Sequence, residues 1–156
     1  MPYSPSEEKL TKIINPVNGA LLHDPNRVGG WHHCAIRAGT TIYLSGIVGA
    51  YPGTKTLGET VEKQVRLIFE NAEEALRAHG ADLSDVVRTT IYFTDRDVTW
   101  PILDKVRREI FPKDPPTSTG VGVTKLDLDA ALEIEMTAVV TGETMSRDVA
   151  GRHPDA

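Results

Sequence analysis

Two glutamates, Glu133 and Glu135, stand in the run Leu132 to Val140, whose alternation of residue types marks a strand. Leu132, Ile134, Met136, Ala138 and Val140 point one way; Glu133, Glu135, Thr137 and Val139 point the other. The apolar face must cover a core, which leaves both carboxylates on the second face. Thr137 and Val139 make that face less polar than a solvated surface, which suggests burial against another subunit. A carboxyl at such a seam is a candidate acid or base, its pKa raised by desolvation. The competing reading is a sheet face that simply meets water.

Other groups with chemical capacity are weaker signals. On a strand, His32 and Cys34 share one face and His33 takes the other. A Cys–His nucleophilic pair needs a third group to orient it, and the sequence offers none. Adjacent histidines on opposite faces, with His23, His79 and His153 scattered, do not make a zinc site. A small buried cysteine beside a hydrogen-bonded histidine is the plainer reading. Ser118, Thr119 and Gly120 follow a Pro-rich loop and offer hydroxyls and N–H groups to an anionic or polar ligand; alternatively they only lead from loop into strand. Ser45-Gly46 on its own reads as turn chemistry.

The elements that must position these groups are legible. Val86 to Thr94 is β-branched and aromatic, hence a strand, and His32–Arg37 and Thr40–Val48 form a hairpin about Ala38-Gly39. A helix from about Thr60 to Ala78 places Val61, Val65, Ile68, Ala72, Ala75 and Leu76 on one face, and Gly80 ends it. Asp95 or Asp97 caps a second helix that carries Trp100, Leu103, Val106 and Ile110 and closes at Phe111-Pro112. Gly120 to Thr124 reads as a short strand. The order is ββαβαββ, an α+β layer of one sheet covered by two helices.

This core occupies residues 30–141. Residues 1–29 read as an accessory arm with a short helix over Ser6–Ile14, and residues 142–156 as a mobile tail. A length of 156 residues fits one domain. Seventeen basic against 22 acidic side chains give a net charge of −5, which disfavours nucleic acid and anionic membranes as partners. The lone cysteine, the charged N-terminus and the lack of any long apolar run predict a cytoplasmic protein.

From about Gly30 to Thr141 the chain resembles the RidA (reactive intermediate deaminase, YjgF) family. The resemblance rests on Ala38-Gly39 with Ile42-Tyr43-Leu44-Ser45-Gly46, on Thr60-Val61-Glu62-Lys63-Gln64 followed by Asn71, and on Gly80 to Tyr92. It ends on Leu132-Glu133-Ile134-Glu135-Met136-Thr137-Ala138. It implies a chorismate-mutase-like fold, a homotrimer with ligand clefts between subunits, and hydrolysis of enamines and imines without metal or organic cofactor. It assigns Glu133 as the catalytic, water-activating glutamate and Ser45 with Gly46 to the cleft, leaving Glu135 structural.

The chain departs from that pattern at three places. Within Pro116-Thr117-Ser118-Thr119-Gly120-Val121, the position of the family's carboxylate-binding arginine is Ser118. His32 stands at a tyrosine position, and Asp104 at an asparagine position on the second helix. A serine hydroxyl cannot replace a bidentate guanidinium, so the resemblance implies a substrate other than the simplest imino acids. The alternative is a metabolite-binding or regulatory trimer of the same fold without catalysis. A ribonuclease ranks last, because the chain has no basic aromatic groove.

Overall fold

The computed structural model describes residues 33–140 and, apart from them, the two-residue strand β1 (Ile13–Ile14). The rest of the predicted arm, the tail and His32 lie outside the described residues. β2 (Ala35–Ala38) and β3 (Thr41–Val48) form the expected hairpin, with Gly39 in the turn at φ +62°. α1 (Val61–Ala78) is followed by a 3-10 turn at Leu83–Asp85 and by β4 (Val86–Phe93). α2 (Arg96–Ile110), β5 (Thr117–Gly122), a second 3-10 turn at Asp127–Asp129 and β6 (Leu132–Val139) complete the chain of elements.

The single sheet runs β1-β2-β3-β6-β4-β5, antiparallel throughout except for the parallel β4–β5 pair. Two antiparallel neighbours thus flank β6, and the parallel pair needs α2 as its crossover. Ile13 and Ile14 pair with Arg37 and Ile36. The helix predicted over Ser6–Ile14 therefore does not reach these two residues: β-branched side chains suit an extended edge, and β2 offers free backbone groups there.

Both helices begin and end as their sequences dictate. Thr60 Oγ1 accepts the Lys63 N–H, and Asp95 accepts from Asp97 and Val98. Gly80, at φ +78°, turns the chain out of α1, while the Gly80 and Ala81 N–H groups donate to Arg77 and Leu76. The α1 face is wider than the predicted stripe, because Leu67 and Phe69 are buried as well. Phe69 meets Phe111 edge-on at 5.8 Å, beyond the end of α2.

The alternation predicted for β6 holds. Leu132, Ile134, Met136 and Ala138 are buried under the helices, and Glu133, Glu135, Thr137 and Val139 are half-buried on the open face. Gln64 fixes where β6 begins: its Oε1 accepts the Ala131 N–H at 3.0 Å while its Nε2 donates to Gly58 O. No helix among the described residues is long and apolar enough to cross a membrane.

Two strand boundaries differ from expectation. β2 starts at Ala35, so Cys34 and His33 precede the strand and do not alternate within it. β5 starts at Thr117 and ends at Gly122, whereas the sequence suggested Gly120 to Thr124. Parallel pairing from Arg88↔Thr117 to Phe93↔Gly122 completes the free edge of β4, and this outweighs the poor strand propensity of two glycines.

Candidate active site

Ser45 and Gly46 sit at an irregularity in the β3–β6 ladder, where the register shifts between Leu44 and Ile47. The Ser45 hydroxyl donates to His33 O at 2.7 Å and its N–H to Cys34 O at 2.8 Å, so Ser45 ties the start of β2 to the bulge. Its hydroxyl oxygen keeps lone pairs for a ligand. Gly46 gives way to a side chain of its own protein: an ideal Cβ there would stand 1.8 Å from Glu133 Oε1. The absence of a side chain at Gly46 thus has a cause within the fold, the seat of the Glu133 carboxyl.

Glu133 is flanked on the open face by a residue that sequence reasoning missed. Tyr92 lies opposite Glu133 in the β4–β6 register, and its hydroxyl donates to Glu135 Oε1 at 3.3 Å. Burial, and then the neighbouring Glu135 carboxylate, push the Tyr92 phenol above its ordinary range. Alternation from Glu133 along two adjacent strands is the signal that would have found it. This bond holds the Glu135 carboxylate against the phenol.

The remaining predicted residues gather elsewhere. Ser118 and Gly120 occupy the helix face of β5, beside Thr89 and Ile91 of β4. Thr119 pairs with Thr90 and takes the open face, so it does not share a side with Ser118. A Cβ on Gly120 would lie 2.7 Å from Trp100 Cζ3, so this glycine makes room for an indole. Asp104 is held in two ion pairs, to Arg107 at 2.7 Å and to Arg108 at 3.0 Å. These bonds keep its carboxyl below the usual range, so it is an anchor for cations and not a proton donor at neutral pH.

Arg107 is the second residue the sequence reading missed. Its Nη1 donates to Ser118 Oγ at 3.2 Å, and its guanidinium lies 5.0 Å from the Trp100 ring centroid. Ser118 carries no charge, yet a guanidinium stands beside it. The i, i+3 spacing from Asp104 was the available signal. Arg107, Asp104 and Ser118 edge a cavity of about 460 Å³ between α2, the Pro-rich loop and the sheet. Within one protomer the predicted site residues that are described fall into two groups: Ser45, Gly46, Glu133 and Thr119 on one side, and Ser118, Gly120 and Asp104 on the other.

Comparison with known proteins agrees with this architecture. A family model described as Endoribonuclease L-PSP matches residues 22–140. Reactive Intermediate Deaminase A of Arabidopsis thaliana, chloroplastic, is 36% identical over 107 residues, which span 68% of this chain and 57% of that protein. A 2-iminobutanoate/2-iminopropanoate deaminase of Dermatophagoides farinae is 30% identical over 74% of this chain and 90% of its own. The crystal structure of RidA from an Antarctic Psychrobacter superposes with a TM-score of 0.69 at 29% identity, covering 72% of this chain and 91% of that one. The ladder, the two covering helices and the matched span together show that this chain belongs to the RidA/YjgF family.

Proposed function

We propose that this protein hydrolyses an enamine or imine of a small polar metabolite, with Glu133 as the proton-transfer group. The observation that carries the reading is the Glu133 carboxyl, half-buried opposite the helices and lodged over Gly46. Water adds to the C=N carbon as Glu133 accepts one of its protons. The carboxyl returns that proton to nitrogen, giving a carbinolamine. It then takes the hydroxyl proton and passes it to the amine as the C–N bond breaks, so that ammonia leaves a carbonyl behind. An enamine enters the same path once a proton has moved from its nitrogen to its β-carbon. The names of the Arabidopsis and Dermatophagoides relatives support this class of reaction.

In this reading Ser45 and Gly46 belong with Glu133 to the chemical half of a cleft. Ser118, Gly120 and Asp104 belong to the half that holds substrate, while Thr119 stands on the open face with Glu133; a substrate contact by His32 falls outside the described residues. The halves meet between copies of the chain in a homotrimer. Two features support that assembly. β5 is an edge strand exposed along its length, and Tyr43 and Val121 on the open face are 54% and 38% exposed. An acidic surface supports a small-molecule substrate over nucleic acid or membrane, and the lone Cys34 supports a cytoplasmic setting.

A binding trimer without catalysis is favoured by one observation: the cavity lies on the helix face, away from Glu133. The deciding experiment generates imines from several amino acids in situ and traps with semicarbazide whatever escapes hydrolysis. Wild type is expected to compete with the trap and Glu133→Gln to fail. Equal turnover by both would overturn the mechanism.

A further inference from the structure

We infer that the cavity beside β5 takes a monocarboxylate bearing a bulky apolar group, with the carboxylate on Arg107 and Arg108 and the apolar group against the sheet. The inference deepens the preceding reading, on which its link to turnover rests, while the binding itself does not depend on catalysis.

The interior is apolar. Ile91 and Ile134 from the sheet, with Phe69 and Leu103 from the helices, supply the floor, and each is nearly or fully buried. Phe111 and Pro112 add a wall. A volume of about 460 Å³ falls within the range of sites for small organic molecules. A metabolite polar along its whole length would leave most of this surface without a partner, whereas a small one with a polar head and a branched or aromatic side chain would remove it from water.

The mouth is cationic. Arg107 is braced by Asp104 through Nε and Nη2, by the Trp100 ring, and by Ser118 through Nη1. A guanidinium fixed in advance loses little freedom when it receives an anion. Arg108 reaches Asp104 through Nε, and its side chain is 78% exposed. Two guanidiniums against one carboxylate leave a single positive charge, which matches a carboxylate better than a dianionic phosphate. For the reaction proposed above, the substrates would be imines derived from apolar amino acids.

Calorimetric titration of the full chain tests this, with 3-phenylpropanoate, 4-methylpentanoate, acetate and the neutral alcohol of the first as probes. The aromatic acid is expected to bind at least about tenfold more tightly than acetate, as burial of a few methylene-sized groups at about fourfold each implies, and at least about tenfold more tightly than the alcohol, which brings no charge to the guanidiniums. Arg107→Gln should weaken it by about tenfold or more. Arg108→Gln, at an exposed position, should weaken it about threefold, and it remains decisive if the Arg107 variant does not fold. Acetate or the alcohol binding as tightly as the aromatic acid, or affinity unchanged in both folded variants, would overturn the inference. Binding retained in Glu133→Gln supports it. Wild type that binds the aromatic acid yet leaves the imines of leucine and phenylalanine untouched would sink the deaminase reading alone. Turnover of the alanine imine with no binding of apolar acids would sink this inference alone.

Discussion

The carboxyl of Glu133 occupies the space that a side chain on Gly46 would fill, with Oε1 1.8 Å and Cδ 2.7 Å from an ideal Cβ. The bulge in β3 and the register of β6 together make that overlap. One residue type is therefore dictated by the placement of another.

Gly46→Ala should consequently act through Glu133. The added methyl must drive the carboxyl from its seat, and turnover should fall by about tenfold or more, since small displacements of a positioned group are costly. Steady-state kinetics on Gly46→Ala, Glu133→Gln and the double variant check this. The double variant should be no slower than Glu133→Gln; additive losses would separate the two residues.

Glu133→Gln itself keeps the shape of the side chain and removes its ability to accept a proton. Turnover should drop by about 10²-fold or more, as for the loss of a general base, with an unchanged thermal midpoint. A matching loss of stability would point to a structural role.

His79 gives the fold a pH dependence. It is 3% exposed at the end of α1, neither ring nitrogen has a hydrogen-bond partner among the described residues, and Arg37 lies close. Burial first, and then the Arg37 charge, lower its pKa in the folded chain. The unfolded chain takes up a proton near pH 6.5 while the folded one does not, so stability should fall as pH drops below about 6.5 and level off beneath the folded pKa. Urea unfolding between pH 7.5 and 5 should show this slope in wild type and a shallower one in His79→Leu.

The two β5 glycines should respond differently to alanine. At Gly120 the methyl would meet the Trp100 ring at 2.7 Å, and overpacking against a rigid indole should cost about 1–3 kcal/mol. At Gly122 the nearest atom, on Phe93, is 3.6 Å away, an ordinary contact, so Gly122→Ala should be nearly neutral. Chemical denaturation of both variants measures the contrast.

The limits of the sequence reading follow from where each signal lives. The period-two pattern of β6 and the helical stripe of α1 are local, and both were legible because burial enforces them residue by residue. Asp95 and Gly80 were equally readable, since caps act within one turn, whereas Thr60 read as the first helical residue and not as the cap that it is. The start of β5 was not: it depends on the free edge of β4, about 30 residues away in the chain, and no local preference of Thr117 or Ser118 announces it. Arg107 escaped notice for a similar reason. On α2 it reads as one more solvated charge, and only the β4–β5 pairing sets Ser118 under its guanidinium. Glu133 could be placed on its face from the pattern alone, but its overlap with Gly46 required the β3–β6 register.

The parallel pairing of β5 has a consequence for local opening. Within one protomer this strand is bound on one side only, contains two glycines and is exposed throughout, so in the separated protomer its amide protons should exchange sooner than those of β6, which is paired on both sides. When β5 lifts from β4, Ser118 leaves Arg107 and the cavity loses its edge, while the rest of the sheet stays paired. The open fraction of this one strand then scales the apparent affinity of anything held there. A bound ligand would in turn slow exchange along Thr117–Gly122 ahead of every other strand.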